Sequence, residues 1–268
     1  MRFLNALVLA FFMVFGALLP VMAAEWVPEI YLRGLDQASQ GKYSQGKKIF
    51  QEILASDPFY DRAVRCLKII DDLESRKITD DTASHLFKGL SHYYRDRFPE
   101  ALAEADLALK INPRYARAYN VRGGFYYGTA KYDQAIADFD RALEIDPAFA
   151  VSYYNRGCAF LQIRQYDRAK ADFDRAVELE PKYYSAYHNR GILYFQKGQY
   201  FWALADFNRA LEIHPKLPEG HLNQALTFEE VGKEQEAVAA YKKFLQYATP
   251  AHTREVEYAR KRLGVLEK

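Results

Sequence analysis

The chain has 268 residues, half of them apolar, with 37 Lys and Arg against 35 Asp and Glu and a net charge of +2. That composition is the mark of an ordered, core-forming protein. The balanced charge, with no Lys/Arg-rich run, offers no basic stripe for a phosphate backbone, so nucleic acid is excluded as an expected partner.

In chain order, residues 1–24 come first. They hold no acid, one early cation at Arg2, and an apolar stretch from Phe3 through Leu19 that ends at Pro20. Val21-Met22-Ala23-Ala24 then supplies the small residues that signal peptidase needs, and the segment reads as a signal peptide. The body of the protein is therefore expected to be exported, periplasmic or secreted. The alternative is an uncleaved anchor, because Phe3 to Ala24 approaches the ~20 apolar residues that span a bilayer. Only in that case is a membrane a partner.

Beyond the leader, Pro113, Pro147, Pro181 and Pro215 recur every 34 residues. Counting each proline as position 32 gives units at 82–115, 116–149, 150–183 and 184–217. Pro58 anchors another at 27–60, and 218–251 continues the period. Residues 61–81 interrupt it with room for one helix, over Asp61 to Ser75, with an apolar stripe of Ala63, Leu67 and Ile70. That stretch reads equally as an odd helix, which predicts a kink or joint, or as a degenerate unit that lost its second helix. Residues 252–264, with Val256, Ala259 and Leu263 on one face, are expected to cap the array.

Within each unit the pattern predicts two helices. Tyr119, Tyr153 and Tyr187 at position 4, and Tyr126, Phe160 and Tyr194 at position 11, recur at helical spacing and are expected to fill the layers between units. Gly123, Gly157 and Gly191 at position 8 are paired with Ala135, Ala169 and Ala203 at position 20, which predicts close approach of the two helices. Gly41, Gly128, Gly198 and Gly232 mark the turns between them. The proline at position 32 lacks an N–H and disfavours helix in the residue before it, which ends the second helix. Each hairpin leaves an apolar face that only a neighbour covers, so stacking is obligatory.

Through its Tyr-Asn-Arg-Gly and Ala-Asp-Phe-Asp-Arg-Ala segments, the chain resembles the tetratricopeptide-repeat family over roughly residues 27–251. The resemblance implies an all-α fold, a right-handed superhelical solenoid whose concave groove is lined by the first helix of each unit. It implies a protein that binds other proteins or peptides. Ligands of the family lie against first-helix positions 2, 5, 6, 9, 12 and 13. Carried over, these give Tyr93, Tyr94, Arg117, Asn120, Tyr127, Tyr154, Asn155, Gln162, His188, Asn189, Phe195, Gln196 and Asn223. Asn155, Asn189 and Asn223 share position 6, and an amide ladder of this kind suits an extended peptide backbone because each amide donates and accepts. The lysines of the carboxylate-clamp branch are absent.

Position 7 is basic in five units, at Arg33, Lys88, Arg122, Arg156 and Arg190. Position 23 is acidic in four, at Glu104, Asp138, Asp172 and Asp206. An ion pair between the helices of a unit, or across to its neighbour, is the expected outcome, with anion binding by the arginines as the alternative. Phe201-Trp202 replaces residues that are mostly polar in the other units. A second contact site, a self-association patch, membrane-surface contact, or a pair folded over the adjacent turn would each explain it. Cys66 and Cys158 lie too far apart in a solenoid to bridge, and both are expected to be buried thiols. No phosphate loop, zinc-protease motif, paired Cys-x-x-Cys or nucleophile elbow is present. The sequence thus points to a binding protein with no catalytic residue, cofactor or metal, a cell-envelope scaffold or adaptor. The alternative is a self-assembling structural component, hence a homo-oligomer.

Overall fold

A computed structural model describes residues 29–267; the leader at 1–24 lies outside them. Among the described residues every regular element is helical. In chain order these are α1 (Glu29–Ser39), α2 (Tyr43–Ser56), α3 (Asp61–Glu74), α4 (Asp80–Tyr93), α5 (Phe98–Ile111), α6 (Ala116–Gly128) and α7 (Tyr132–Ile145). There follow α8 (Ala150–Gln162), α9 (Tyr166–Leu179), α10 (Tyr184–Gln196), α11 (Tyr200–Ile213), α12 (Pro218–Glu230), α13 (Glu234–Tyr247), a 3-10 turn at Pro250–His252, and α14 (Thr253–Leu266). The fold is all-α and repetitive. Two compact units divide the chain, the first ending at Ile163 and the second beginning at Arg164.

The turn inside each hairpin is set by one residue at position 15 with positive φ. Gly41, Gly198 and Gly232 occupy it in three repeats, and Asp96, Ala130 and Arg164 in the other three. The left-handed residue lets the last carbonyls of the first helix find donors. After α6, for example, Ala130 N–H reaches Tyr127 O at 3.0 Å and Lys131 N–H reaches Tyr126 O at 2.9 Å. Gly128, expected to mark a turn, instead ends α6 and makes room for a neighbour. A Cβ there would sit 1.8 Å from the Tyr93 hydroxyl.

In the first unit α4 and α5 form one hairpin and α6 and α7 another, with α8 packed on α7. Ala135, Phe139 and Ala142 on α7 are fully buried. Gly123 serves the phenyl ring above all, since its missing Cβ would lie 2.6 Å from Phe139, whereas the Ala135 carbonyl is 3.2 Å away. Gly34 stands in the same relation to Phe50, at 2.6 Å. In the repeat at 82–115 position 24 is Ala105, and Phe125 from the following helix pair fills the space, stacked on Tyr93 with centroids 4.9 Å apart. The position-4 tyrosines do more than fill layers. Arg122 and Arg156 lie over Tyr119 and Tyr153 at 5.6 and 5.5 Å.

The start of this unit departs from simple stacking. Ser84 Oγ donates to the Ser39 carbonyl, Ser91 Oγ to Asp36 Oδ1, and Tyr94 meets Tyr31 edge-on at 5.4 Å. Rising numbers on α4 thus meet falling numbers on α1. The two helices are antiparallel, the relation that a second helix has to the next first helix elsewhere in the array. The odd helix α3 reverses the polarity of the first hairpin and shares one buried core with α1, α2, α4, α5 and the start of α6. It ends like a first helix, with Arg76 at φ 58°. Cys66 on α3 is buried against the Tyr31 hydroxyl at 3.4 Å, while Cys158 is only half-buried; the two form no disulfide.

In the second unit α10 pairs with α11 and α12 with α13; α9 packs on α10 and α14 on α13. Gly191 faces Phe207 at 2.7 Å. Ala259 and Leu263 of α14 are buried, Val256 is half-buried, and Arg262 and His252 reach back to Glu229 and Glu219 on α12.

Candidate binding groove

Three of the position-7 arginines, Arg122, Arg156 and Arg190, are held by carboxylates. In the first unit Arg122 donates through Nε and Nη2 to both oxygens of Asp138, at 2.8 and 2.6 Å, and through Nη1 to Asp106 at 2.6 Å. In the second, Arg190 holds Asp206 at 2.7 Å through each of two nitrogens, and Asp174 at 2.6 Å. Hydrogen bonds from Arg122 to Asp138 push the guanidinium pKa further up. Each arginine therefore ties its own hairpin together and clasps position 25 of the preceding repeat, as Arg156 does with Asp140 at 2.6 Å. In the last repeat Gln224 repeats the geometry without charge, donating to Asn208 at 2.6 Å. Position 25 was the missed partner; Asp106, Asp140, Asp174 and Asn208 recur at the same period. The repeat at 82–115 departs from the expected pairing, because His85 rather than Lys88 meets Glu104, at 2.6 Å.

The first-helix face of the first unit is covered at one end. Tyr94 lies under Arg62 of α3 at 4.9 Å and against Tyr31 and Tyr93. Tyr93 is turned onto α6, and burial pushes its hydroxyl up to about 12. Both tyrosines are half-buried by these neighbours. Further along, Tyr127, Tyr154, Asn155 and Gln162 are half-buried. Asn155 Nδ2 and Ser152 Oγ both donate to Asn120 Oδ1, at 2.9 and 3.1 Å, and Gln162 Nε2 donates to the Tyr127 hydroxyl at 3.4 Å. Arg117 at position 2 is held by Asp72 at 2.8 Å and lies over Phe149 at 5.0 Å.

In the second unit His188 and Asn189 are half-buried, whereas Phe195 and Asn223 are buried. Asn223 Nδ2 lies 2.9 Å from His188 Nε2, an arrangement that requires a neutral imidazole as acceptor, and burial of His188 lowers its pKa in agreement. The asparagine ladder thus has a structural duty. In both units a position-6 amide bonds to position 5 of the preceding first helix. An amide has further donor and acceptor capacity for a ligand.

Phe201 and Trp202 stand out on α11, 75% and 57% exposed. They contact one another edge-on at 5.6 Å, and Trp202 leans on Tyr194 at 6.3 Å. Among the described residues no group of three or more His, Cys, Asp or Glu side chains is placed to hold a metal ion, and no helix is long and apolar enough to cross a membrane.

Comparison with known proteins agrees with this architecture. A tetratricopeptide-repeat family model matches residues 154–218, and a TPR-repeat model matches residues 126–164. No curated protein sequence matches the chain. Among solved structures, PilF of Pseudomonas aeruginosa is 19% identical, with a TM-score of 0.61 over 70% of this chain and 89% of its own. TTC0263, a TPR protein of Thermus thermophilus, is 22% identical, with a TM-score of 0.58 over 68% and 98%. YrrB, described as a TPR protein with an unusual peptide-binding site, is 23% identical, with a TM-score of 0.52 over 72% and 97%. At these identities the likeness speaks to fold, that of a tetratricopeptide-repeat solenoid, and the two sequence-model matches place repeats of this family at residues 126–218.

Proposed function

We propose that this chain is a protein-interaction scaffold of the cell envelope that binds extended peptide segments along the first-helix face of its repeats. The observation that carries the reading is the row of half-buried amide and aromatic side chains on α6 and α8, Tyr127, Tyr154, Asn155 and Gln162. Hydrogen bonds between consecutive first helices fix several of them before any ligand arrives. A pre-ordered polar row spares a ligand part of the ordering cost of binding, and tyrosine supplies large contact area beside it. The peptide-binding description attached to YrrB supports the same use of the fold. The envelope location rests on the signal-like residues 1–24.

The test selects peptides from a random library against purified residues 25–268, then repeats the titration with Tyr127→Ala and Asn155→Ala. A loss of tenfold or more is expected when each variant is titrated well below its own melting temperature, so that lost stability does not contribute to the loss of affinity. Unaltered affinity in both variants refutes the groove. For export, the mass of the protein recovered from its producing cell should correspond to a chain beginning at Glu25. A protein confined to the cytoplasmic fraction refutes that part.

The exposure of Phe201 and Trp202 favours a second reading, self-assembly as a structural component. Sedimentation across a concentration series decides it, since a protein that stays monomeric at high concentration does not self-assemble.

A further inference from the structure

The groove face of α4 is already occupied. Ala83, Leu86 and Phe87, at positions 2, 5 and 6 of that helix, are fully buried, whereas Arg117, Tyr154 and Asn155 at positions 2, 5 and 6 of later first helices keep partial exposure. They share their buried cluster with Ala63, Cys66, Ile69 and Ile70 of α3, which packs against α4, and the Phe87 ring also packs on Tyr43 and Phe50 of α2 at 6.2 and 6.3 Å. The course of α3 is marked at both ends by groove positions of the array. Arg62, near its start, lies over Tyr94 at position 13 of α4, and Asp72, in its last turn, accepts from Arg117 Nε at position 2 of α6.

The charges of α3 are arranged for docking. Its last turn holds Asp71, Asp72 and Glu74 with no basic residue, which opposes the helix dipole. Partners elsewhere compensate. Lys47 of α2 meets Glu74 at 2.6 Å and Asp71 at 3.7 Å, and Asp72 accepts from the Tyr115 hydroxyl at 2.8 Å as well as from Arg117. Lys77 completes the Asp72 site at 3.2 Å. Alone, such a helix is disfavoured at its C-terminal end; docked, each of these acids has a cation.

We propose that α3 is an intramolecular ligand of the α4 groove face, latched by Asp72 to Arg117, and that this face accepts an amphipathic helix with a carboxylate in its last turn. The section of groove open to other proteins then begins at α6, and undocking α3 uncovers an apolar extension of it. The inference rests on the reading of the first-helix face as a binding surface.

Undocking is measurable without any partner. In the full chain carrying Cys158→Ser, Cys66 is the remaining thiol, fully buried, and its reaction with a thiol reagent reports opening of α3. Local opening predicts labelling with little dependence on urea below the global transition, and hydrogen exchange of residues 61–74 faster than that of α5, α6 and α7. Asp72→Asn should raise the labelling rate about tenfold, Arg117→Ala by a similar factor, and the double variant no further. Labelling that follows global unfolding in urea, or single variants that leave its rate unchanged, overturns the proposal. Because the peptide titrations use α6 and α8 while thiol labelling reads α3 directly, failure of the α3 latch leaves the proposed function standing, and the two failures are told apart by which measurement gives the negative result.

Discussion

Removing Asp138 should cost far more than removing Asp106, although both carboxylates bond the same arginine at 2.6 Å. The Asp138 side chain is 8% exposed, that of Asp106 59%, and that of Arg122 22%. Breaking a buried pair by deleting one partner costs roughly 3–5 kcal/mol; because Arg122 keeps Asp106 and some water, about 2–3 kcal/mol is expected for Asp138→Ala. Asp106→Ala removes an interaction close to the surface, worth about 0.5 kcal/mol. A combined Arg122→Met and Asp138→Leu variant should lie within about 1 kcal/mol of wild type, because an apolar pair replaces a desolvated ionic one. Urea unfolding by circular dichroism gives the totals. Hydrogen exchange on α6 and α7 places the loss, since repeat arrays need not unfold in one step. Equal effects for the two aspartates would refute the argument that burial decides the value of the clasp.

Three further outcomes follow from local geometry and charge. Gly191→Ala should destabilise by about 1–3 kcal/mol, because the new methyl must displace the Phe207 ring at 2.7 Å, and adding Phe207→Leu should recover part of the lost melting temperature. Ala130→Gly should raise thermal stability by about 0.5 kcal/mol, the strain of an alanine at φ 58° outweighing glycine's extra chain entropy; a lowered melting temperature contradicts this. The hydrogen bond to Glu219 raises the His252 pKa above 6.5. The stabilisation it gives α14 is fully present below about pH 6.5 and lost as pH rises through the folded-state value. Exchange protection of α14, corrected for intrinsic rates, should fall as pH rises above about 6.5, and His252→Gln should abolish that dependence.

The fold was legible because its grammar repeats. Prolines at 34-residue spacing and the Gly, Ala and Phe of positions 8, 20 and 24 are local requirements of a two-helix unit, restated in copy after copy. The arginine clasp was half legible. Positions 7 and 23 were found by comparing copies within the chain, and position 25 was there to be found by the same comparison. The candidate groove was less so, because surface positions are inferred from a family average while packing is specific to neighbours. Tyr93 and Tyr94 sit at groove positions, yet Gly128 invites the first onto α6 and Arg62 of α3 covers the second. Asn155 and Asn223 are where the ladder predicts, with part of their bonding capacity given to the preceding first helix.

What the sequence determined by itself is the unit, since helix, turn and hairpin depend on residues close along the chain. What only tertiary structure decided is which first-helix faces are covered by other helices. That depends on α3, a helix whose partners lie on α2, α4 and α6 and whose docking reverses the polarity of the first hairpin. A break in the period announces that something differs there, but direction and coverage come from long-range contacts that no local pattern encodes.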